Sequence, residues 1–448
     1  MPASPVPSPW PRARGRVADV GLGRPLLLAA AIPLLFLHVR YQPVLHVGAG
    51  DTTVDVALSD FAVLAVALGA LASAATRGWS PLARGVPVWL AAGGFLALVL
   101  VSLSYPPLRD EPYDWQARLV SALKLCEYAV LALAAPLLVA SRREATIVVR
   151  ALVAWSAAAT AWGVLQFAGA VNEFEGKRPG QREPSFVGIH DFAALSGAAL
   201  VLGVVALACR EDVLGGRGWR LLAIVAGGLG IVLSGAMTAV LGLWLAALAL
   251  LLAARRRRRL TRAATATVVT LALLVSAGTA LMRGSTLEHF AAFLGLEREE
   301  TSGVQSYAHR TLLAYIGARI WLDRPLTGVG YQGSSDEWAF GPHLADAHRR
   351  FPHEPEQAFP SRTRPWGVQN LYVETLADLG LIGFALLLAL FAAAVRAALR
   401  AGPGSALPLV GLGWLLLAAG VWNGIGLVPG IPLAALTWLA LGLVTARA

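Results

Sequence analysis

The chain has 448 residues, 56% of them hydrophobic and 14% charged, with a formal net charge of +10, and its mean hydropathy is +0.62. A soluble globular chain carries about 25% charge, so a soluble fold is excluded and a polytopic membrane protein is expected. The arginines are scattered between apolar runs instead of gathered on one face, so no nucleic-acid partner is expected and membrane topology explains them better.

The first 21 residues are Pro-rich and basic. An apolar run starts at Leu22 and holds Ala29, Ala30 and Ala31 inside it, which favours an uncleaved first span over a signal peptide, the alternative. A helix needs roughly 20 apolar residues to cross the hydrocarbon. Twelve runs qualify: 22–39, 55–76, 86–104, 117–140, 145–169, 190–209, 220–234, 237–254, 263–282, 369–395, 405–421 and 430–446. The run 220–254 is too long for one crossing, because a single helix there extends about 52 Å against a core of about 30 Å. Basic residues flank it on both sides, Arg217 and Arg220 before and 255–259 after. A hairpin turning at Ser234-Gly235 returns both clusters to one side. The run 255–259 reads first as a topology anchor, with anionic lipid headgroups as the second reading.

Arg12, Arg14, Arg16 and Arg24 place the N-terminus inside, and Arg77, Arg84, Arg142, Arg143, Arg210, Arg396 and Arg400 fall on that same side under twelve spans. The opposite loops are acidic or mixed: Asp110, Glu111 and Asp114 in one, 173–183 in another. The expected fold class is all-α, a multi-pass inner (plasma) membrane protein of about twelve transmembrane helices with both termini cytoplasmic and one large external loop. Three regions follow: 1–282 with nine spans, the loop 283–368, and 369–448 with three spans. Cys126 and Cys209 lie in or beside separate apolar runs and read as small core residues.

The loop 283–368 holds nine arginines and five of the eight histidines. Residues 286–297 and 306–323 read as amphipathic helices able to lie along the membrane interface. Residues 341–367 carry five prolines and are expected to be irregular. Gly328 to Gly333 spells G-x-G-x-x-G, but a preceding helix and following prolines do not make a dinucleotide unit; the glycines permit a tight turn and close backbone packing. Arg310 and Arg319 lie on opposite faces of one helix, and Arg319 has Asp323 four residues on as an ion-pair partner. Arg310 has no local acidic partner and suits a pyrophosphate, whose oxygens a guanidinium binds in pairs. His343, His348 and His353 are five apart, a spacing that fits no standard helical metal site, so no metal is expected.

In the tenth span Asn370, Glu374 and Asp378 form one stripe, either an N-cap with acids at a helix start or the lining of a cavity. Lys124 and Glu127 in the fourth span make a mutual salt bridge, snorkel to the outer face, or line the same cavity. His190 and Asp191 open the sixth span in that neighbourhood.

The stretch from Arg310 to Leu390 resembles the O-antigen ligase/polymerase family. The resemblance rests on Arg310, then Pro325-Leu326-Thr327-Gly328-Val329-Gly330, then Gln369-Asn370-Leu371-Tyr372, then Gly380-Leu381-Ile382-Gly383. It covers about 80 residues in motif and the whole chain in architecture. Two positions depart: the His that commonly precedes the Asn is Gln369, and a Ser-x-Arg-like motif at 234–238 has Met237 where Arg is common. Glutamine takes no proton as a base and methionine binds no phosphate.

The resemblance implies a C-type glycosyltransferase-like membrane fold. It also implies transfer of a glycan from an undecaprenyl-pyrophosphate carrier to an acceptor hydroxyl on lipid A–core or another glycan, with membrane lipids around it and no cofactor. Arg310 is the first choice for the pyrophosphate and Arg324 the next. The candidate bases are Glu374, His309 and His353, in that order. Gln369, Asn370, Tyr372, Lys124, Glu127 and His190 are expected to contact substrate. A non-catalytic member of an assembly complex and a transporter are the rival readings.

Overall fold

The computed structural model describes residues 23–49, 52–171, 174–175, 179–209, 212–258, 260–283, 306–402 and 406–446. The expected amphipathic helix at 286–297 lies outside them.

Each of the twelve apolar runs is helical: α1 (Gly23–Leu35), α2 (Leu58–Arg77), α3 (Val86–Ser102), α4 (Trp115–Leu138), α5 (Arg142–Phe167), α6 (Ile189–Ala208), α7 (Arg217–Ser234), α8 (Met237–Arg256), α9 (Arg262–Leu281), and, after two polar-segment helices α10 (Ser306–Asp323) and α11 (Glu337–Arg350), α12 (Leu371–Arg400), α13 (Leu407–Val421) and α14 (Pro432–Leu443). Among the described residues ten helices are long and apolar enough to cross a membrane, counting the 3₁₀ turns that lead into α3 and follow α13. The other two, α1 and α14, are shorter, at 13 and 12 residues. The helix starts follow local chemistry. Asp114 and Thr261 cap α4 and α9, and Ser141 with Glu144 forms a capping box on α5. The long run 220–254 does break at Ser234-Gly235, where Gly235 takes a left-handed φ of 59°.

The bundle is built around α6, nearly all of whose residues are buried. Small residues set the spacing. A Cβ at Gly227 of α7 would meet the Ser196 carbonyl and Leu200 amide of α6 at 2.6 Å. Between α8 and α13, a Cβ at Gly420 would meet the Cα of Gly242 at 2.2 Å. Without a hydrophobic gradient inside lipid, such close backbone contact is what holds membrane helices together.

Two elements differ from expectation. Residues 44–57 contain an antiparallel hairpin, β1 (Val44–Ala49) and β2 (Thr52–Ala57), with Val44 opposite Ala57. The expected irregular stretch also begins inside a regular helix, α11, which carries Pro342 at its sixth position. At that position the proline removes one amide, which would otherwise pair with the Trp338 carbonyl.

The segment 306–368 has its own small core. Leu312, Leu313, Ile316 and Ile320 of α10 pack with Phe340, Ala347 and Phe359 and with Ala377 of α12. The apolar face of α10 is therefore covered by protein, not offered to a membrane surface.

Candidate functional site

A break in α12 fixes the cap of the site. Gly380 is non-helical (φ 63°, ψ −165°), which frees carbonyls before it and amides after it. The segment 325–330 takes up both. Val329 and Gly330 donate to the Ala377 and Asp378 carbonyls at 3.0 and 2.8 Å. Leu381 and Ile382 donate to the Pro325 and Leu326 carbonyls at 2.8 and 3.3 Å. A Cβ at Gly328 would lie 2.3 Å from the Asp378 backbone, and one at Gly380 would lie 2.3 Å from that of Leu326. The glycines of Pro-Leu-Thr-Gly-Val-Gly serve this docking, as their backbone freedom suggested. Asp378 completes it by accepting the Gln332 and Ser334 amides at 2.8 and 3.0 Å. The α3–α4 connection and the first turn of α4 hold the residues that follow this turn. Arg118 bonds Gln332, Ser335 and Asp336, and the Tyr113 hydroxyl donates to the Tyr331 carbonyl at 2.6 Å.

The other end of α10 brings together a basic cluster. Arg310, near the start of α10, places Nη2 2.8 Å from Nε2 of His190, which opens α6. A guanidinium only donates, so Nε2 accepts and the imidazole is neutral with its proton on Nδ1. Arg182 and Arg283 lie within electrostatic reach of the same ring. Both pack at the α7–α8 turn, where a Cβ on Gly235 would meet Arg182 Cβ at 3.0 Å and Arg283 Cδ at 3.4 Å. Thr238, one residue after Met237, reaches the same place. A Cβ at Gly424 would meet its Oγ1 at 3.2 Å and His190 Cε1 at 3.1 Å. That Thr238 hydroxyl is buried with no hydrogen-bond partner among the described residues.

The connection 422–428 joins this pole to the start of α12. Asn370 caps α12 by accepting the Tyr372 and Val373 amides and donates to Asn423. Glu374 accepts the Leu427 amide at 2.7 Å and lies against Gly426. His190, Asn370 and Glu374 thus adjoin one short segment, and Arg310 connects to it through His190.

Other expected site residues lie elsewhere. Arg324 follows the far end of α10, about 21 Å of helix from Arg310, where it pairs with Glu111 at 3.3 Å and stacks on Trp338; both arginines cannot hold one pyrophosphate. Lys124 pairs with Asp60 of α2 at 3.1 Å, not with Glu127, and Glu127 faces that pair. The Tyr372 hydroxyl is spent on the Ala419 carbonyl at 2.6 Å. Gln369 is half-buried, with a left-handed φ of 52°, immediately before the Asn370 cap. His353 is exposed.

His309, beside Arg310, is buried with its ring edge on Trp366, and burial, then the neighbouring guanidinium, lowers its pKa. Arg319 pairs with Asp346 at 3.5 Å, while Asp323 takes His343 at 3.1 Å. His348 stacks on Phe359. Among the described residues no group of three or more His, Cys, Asp or Glu is placed to hold a metal.

Arg182, Arg283 and Thr238 were not singled out in the sequence. Arg182 sits in a mixed-charge loop that carried only a topology signal, and Arg283 ends a span. Their convergence is visible only in three dimensions.

Long apolar helices packed through small residues define a polytopic membrane protein, with a basic cluster where the starts of α6 and α10 meet the α7–α8 turn. Residues 222–388, from α7 to the middle of α12, match the family described as O-antigen ligase, and the chain carries a domain of that family. No curated protein matches the chain.

Proposed function

We propose that this protein transfers a glycan from an undecaprenyl-pyrophosphate carrier to an acceptor hydroxyl in surface polysaccharide assembly, within a C-type glycosyltransferase-like fold. The supporting observation is the convergence of Arg310, Arg182 and Arg283 around neutral His190. Three guanidiniums around one imidazole suit a diphosphate. Arg182 and Arg283 meet at Gly235, two residues before Met237, and supply the charge that methionine lacks.

In this reading the acceptor oxygen forms a bond to the anomeric carbon, and the bond from that carbon to the diphosphate oxygen breaks. The arginines stabilise the charge that develops on the leaving diphosphate, and the acceptor proton passes to Glu374. Gln369 takes no proton and in this reading hydrogen-bonds a sugar hydroxyl. Holding donor and acceptor in line supplies most of the remaining advantage.

The reading includes the topology. Basic ends gather opposite the cap: Arg77 pairs with Glu144, Arg142 bonds the Asp212 carbonyl, and Arg257 bonds the Ala401 carbonyl. With the positive end cytoplasmic, twelve spans put both termini inside. The loop 283–368 then faces out between a nine-span region and a three-span region. The test is transfer in proteoliposomes carrying a lipid-linked glycan donor, with lipid A–core or a second lipid-linked glycan as acceptor. Product with one acceptor supports the reading. Tight donor binding with no product from either marks a non-catalytic member of an assembly complex, which the Gln369 and Met237 departures favour as the second reading.

A further inference from the structure

The opposite end of the bundle holds a feature that glycan transfer does not use. The C-terminal ends of α8 and α12 flank a cleft of about 510 Å³ lined by Arg256, Ala392, Val395, Arg396, Leu399 and Arg400. Residues 392, 395, 396, 399 and 400 repeat at the spacing of one helical face, so α12 supplies both floor and rim. Arg396 and Arg400 are four residues apart, and Arg256 stands across from them. Like charges at that spacing repel, and no acidic residue lines the cleft. None of the three arginines makes an ion pair or side-chain hydrogen bond among the described residues. The chain just beyond the two helix ends is linked by Arg257, whose Nη2 donates to the Ala401 carbonyl at 3.3 Å.

We propose that this cleft binds the headgroup of one anionic phospholipid. The arginines at the mouth neutralise the phosphate, and Ala392, Val395 and Leu399 carry the apolar chain inward. From Arg400 to Ala392 the face extends about 12 Å along the helix, from an interfacial depth into hydrocarbon. A free phosphate would engage the rim and leave the apolar floor unused. A zwitterionic lipid would bring its own cation against three guanidiniums. Basic residues near a membrane surface select anionic lipid in this way, and here they frame a shaped cleft.

The test uses the full-length protein in detergent, examined by native mass spectrometry with phosphatidylglycerol, cardiolipin or phosphatidylcholine added. One anionic lipid should be retained and phosphatidylcholine should not. R256Q/R396Q/R400Q should weaken retention roughly a hundredfold, whereas R143Q/R217Q/R262Q, which removes exposed arginines near the same end, should leave it within about twofold. Ala392→Trp, which fills the floor and keeps every charge, should weaken retention as well. Equal loss in both triple variants, or no effect of Ala392→Trp, would mean general surface charge and would overturn the proposal. So would displacement of the lipid by inorganic phosphate at millimolar concentration.

Discussion

Arg310 Nη2 stands 2.8 Å from His190 Nε2, joining residues 120 positions apart in the chain. The contact draws α10, from the polar segment, onto the first residues of the deeply buried α6. It also keeps the imidazole neutral inside a cluster of positive charge. Arg182 and Arg283 act electrostatically on the same ring.

Arg182 and Arg283 are expected to share the diphosphate with Arg310. Arg182→Gln and Arg283→Gln should each lower transfer by about 10²-fold, the usual cost of losing one charge-stabilising donor. Initial rates in proteoliposomes, normalised to inserted protein, check this. Unchanged rates in both variants would remove these side chains from the site.

Glu374 is the expected proton acceptor. Its Oε2 holds the Leu427 amide, and a glutamine there still offers an oxygen to that amide. Glu374→Gln should therefore keep the melting temperature and lower turnover by roughly 10²- to 10⁴-fold. A variant of normal turnover would show that Glu374 only fastens the 426–427 segment.

The docking of the 325–330 turn on the α12 break should be intolerant of any side chain. Gly328 and Gly380 combine left-handed φ values of 67° and 63° with backbone atoms 2.3 Å from a would-be Cβ. Gly328→Ala and Gly380→Ala should each destabilise the protein by roughly 2–4 kcal/mol, read as a lowered midpoint in thermal unfolding. Gly402→Ala, with open space around it, is the control that should leave the midpoint in place.

His309 gives stability a pH dependence. Burial and then Arg310 lower its pKa below the ordinary 6.5. The unfolded chain takes up a proton near that pH which the folded chain refuses, so stability is present above about pH 6.5 and falls as the solution is acidified through it. The thermal midpoint should drop between about pH 7.5 and 5.5, and His309→Gln should flatten that slope. An identical slope in the variant would assign the dependence to other groups.

The membrane helices were legible because roughly 20 apolar residues leave few alternatives in lipid. The hairpin turn at Ser234-Gly235 followed from charge at both ends of an overlong run. The break in α12 was not legible, since Gly380 sits in an apolar stretch that reads as continuous helix and only the docked 325–330 turn stabilises the break. Ion pairs assigned by spacing along one helix were displaced by closer partners on another. Lys124 found Asp60 instead of Glu127, and Arg319 found Asp346 instead of Asp323. The β1–β2 hairpin had a signal in the alternation of Thr53-Val54-Asp55-Val56 that span counting passed over. In the site, Arg310, His190, Asn370 and Glu374 were named from sequence and come together. Arg324 shares a helix-length argument with Arg310 but ends too far along it.

The central claim is that a guanidinium at position 310 grips a carrier's diphosphate. It is tested most directly by measuring, in proteoliposomes, both binding and turnover of an undecaprenyl-pyrophosphate-linked glycan by the Arg310→Ala protein. The account expects correctly inserted protein whose donor binding is weakened at least tenfold and whose transfer is abolished, since a charge-assisted pair to phosphate contributes about 1.5–3 kcal/mol. Wild-type binding and turnover in that variant would contradict it.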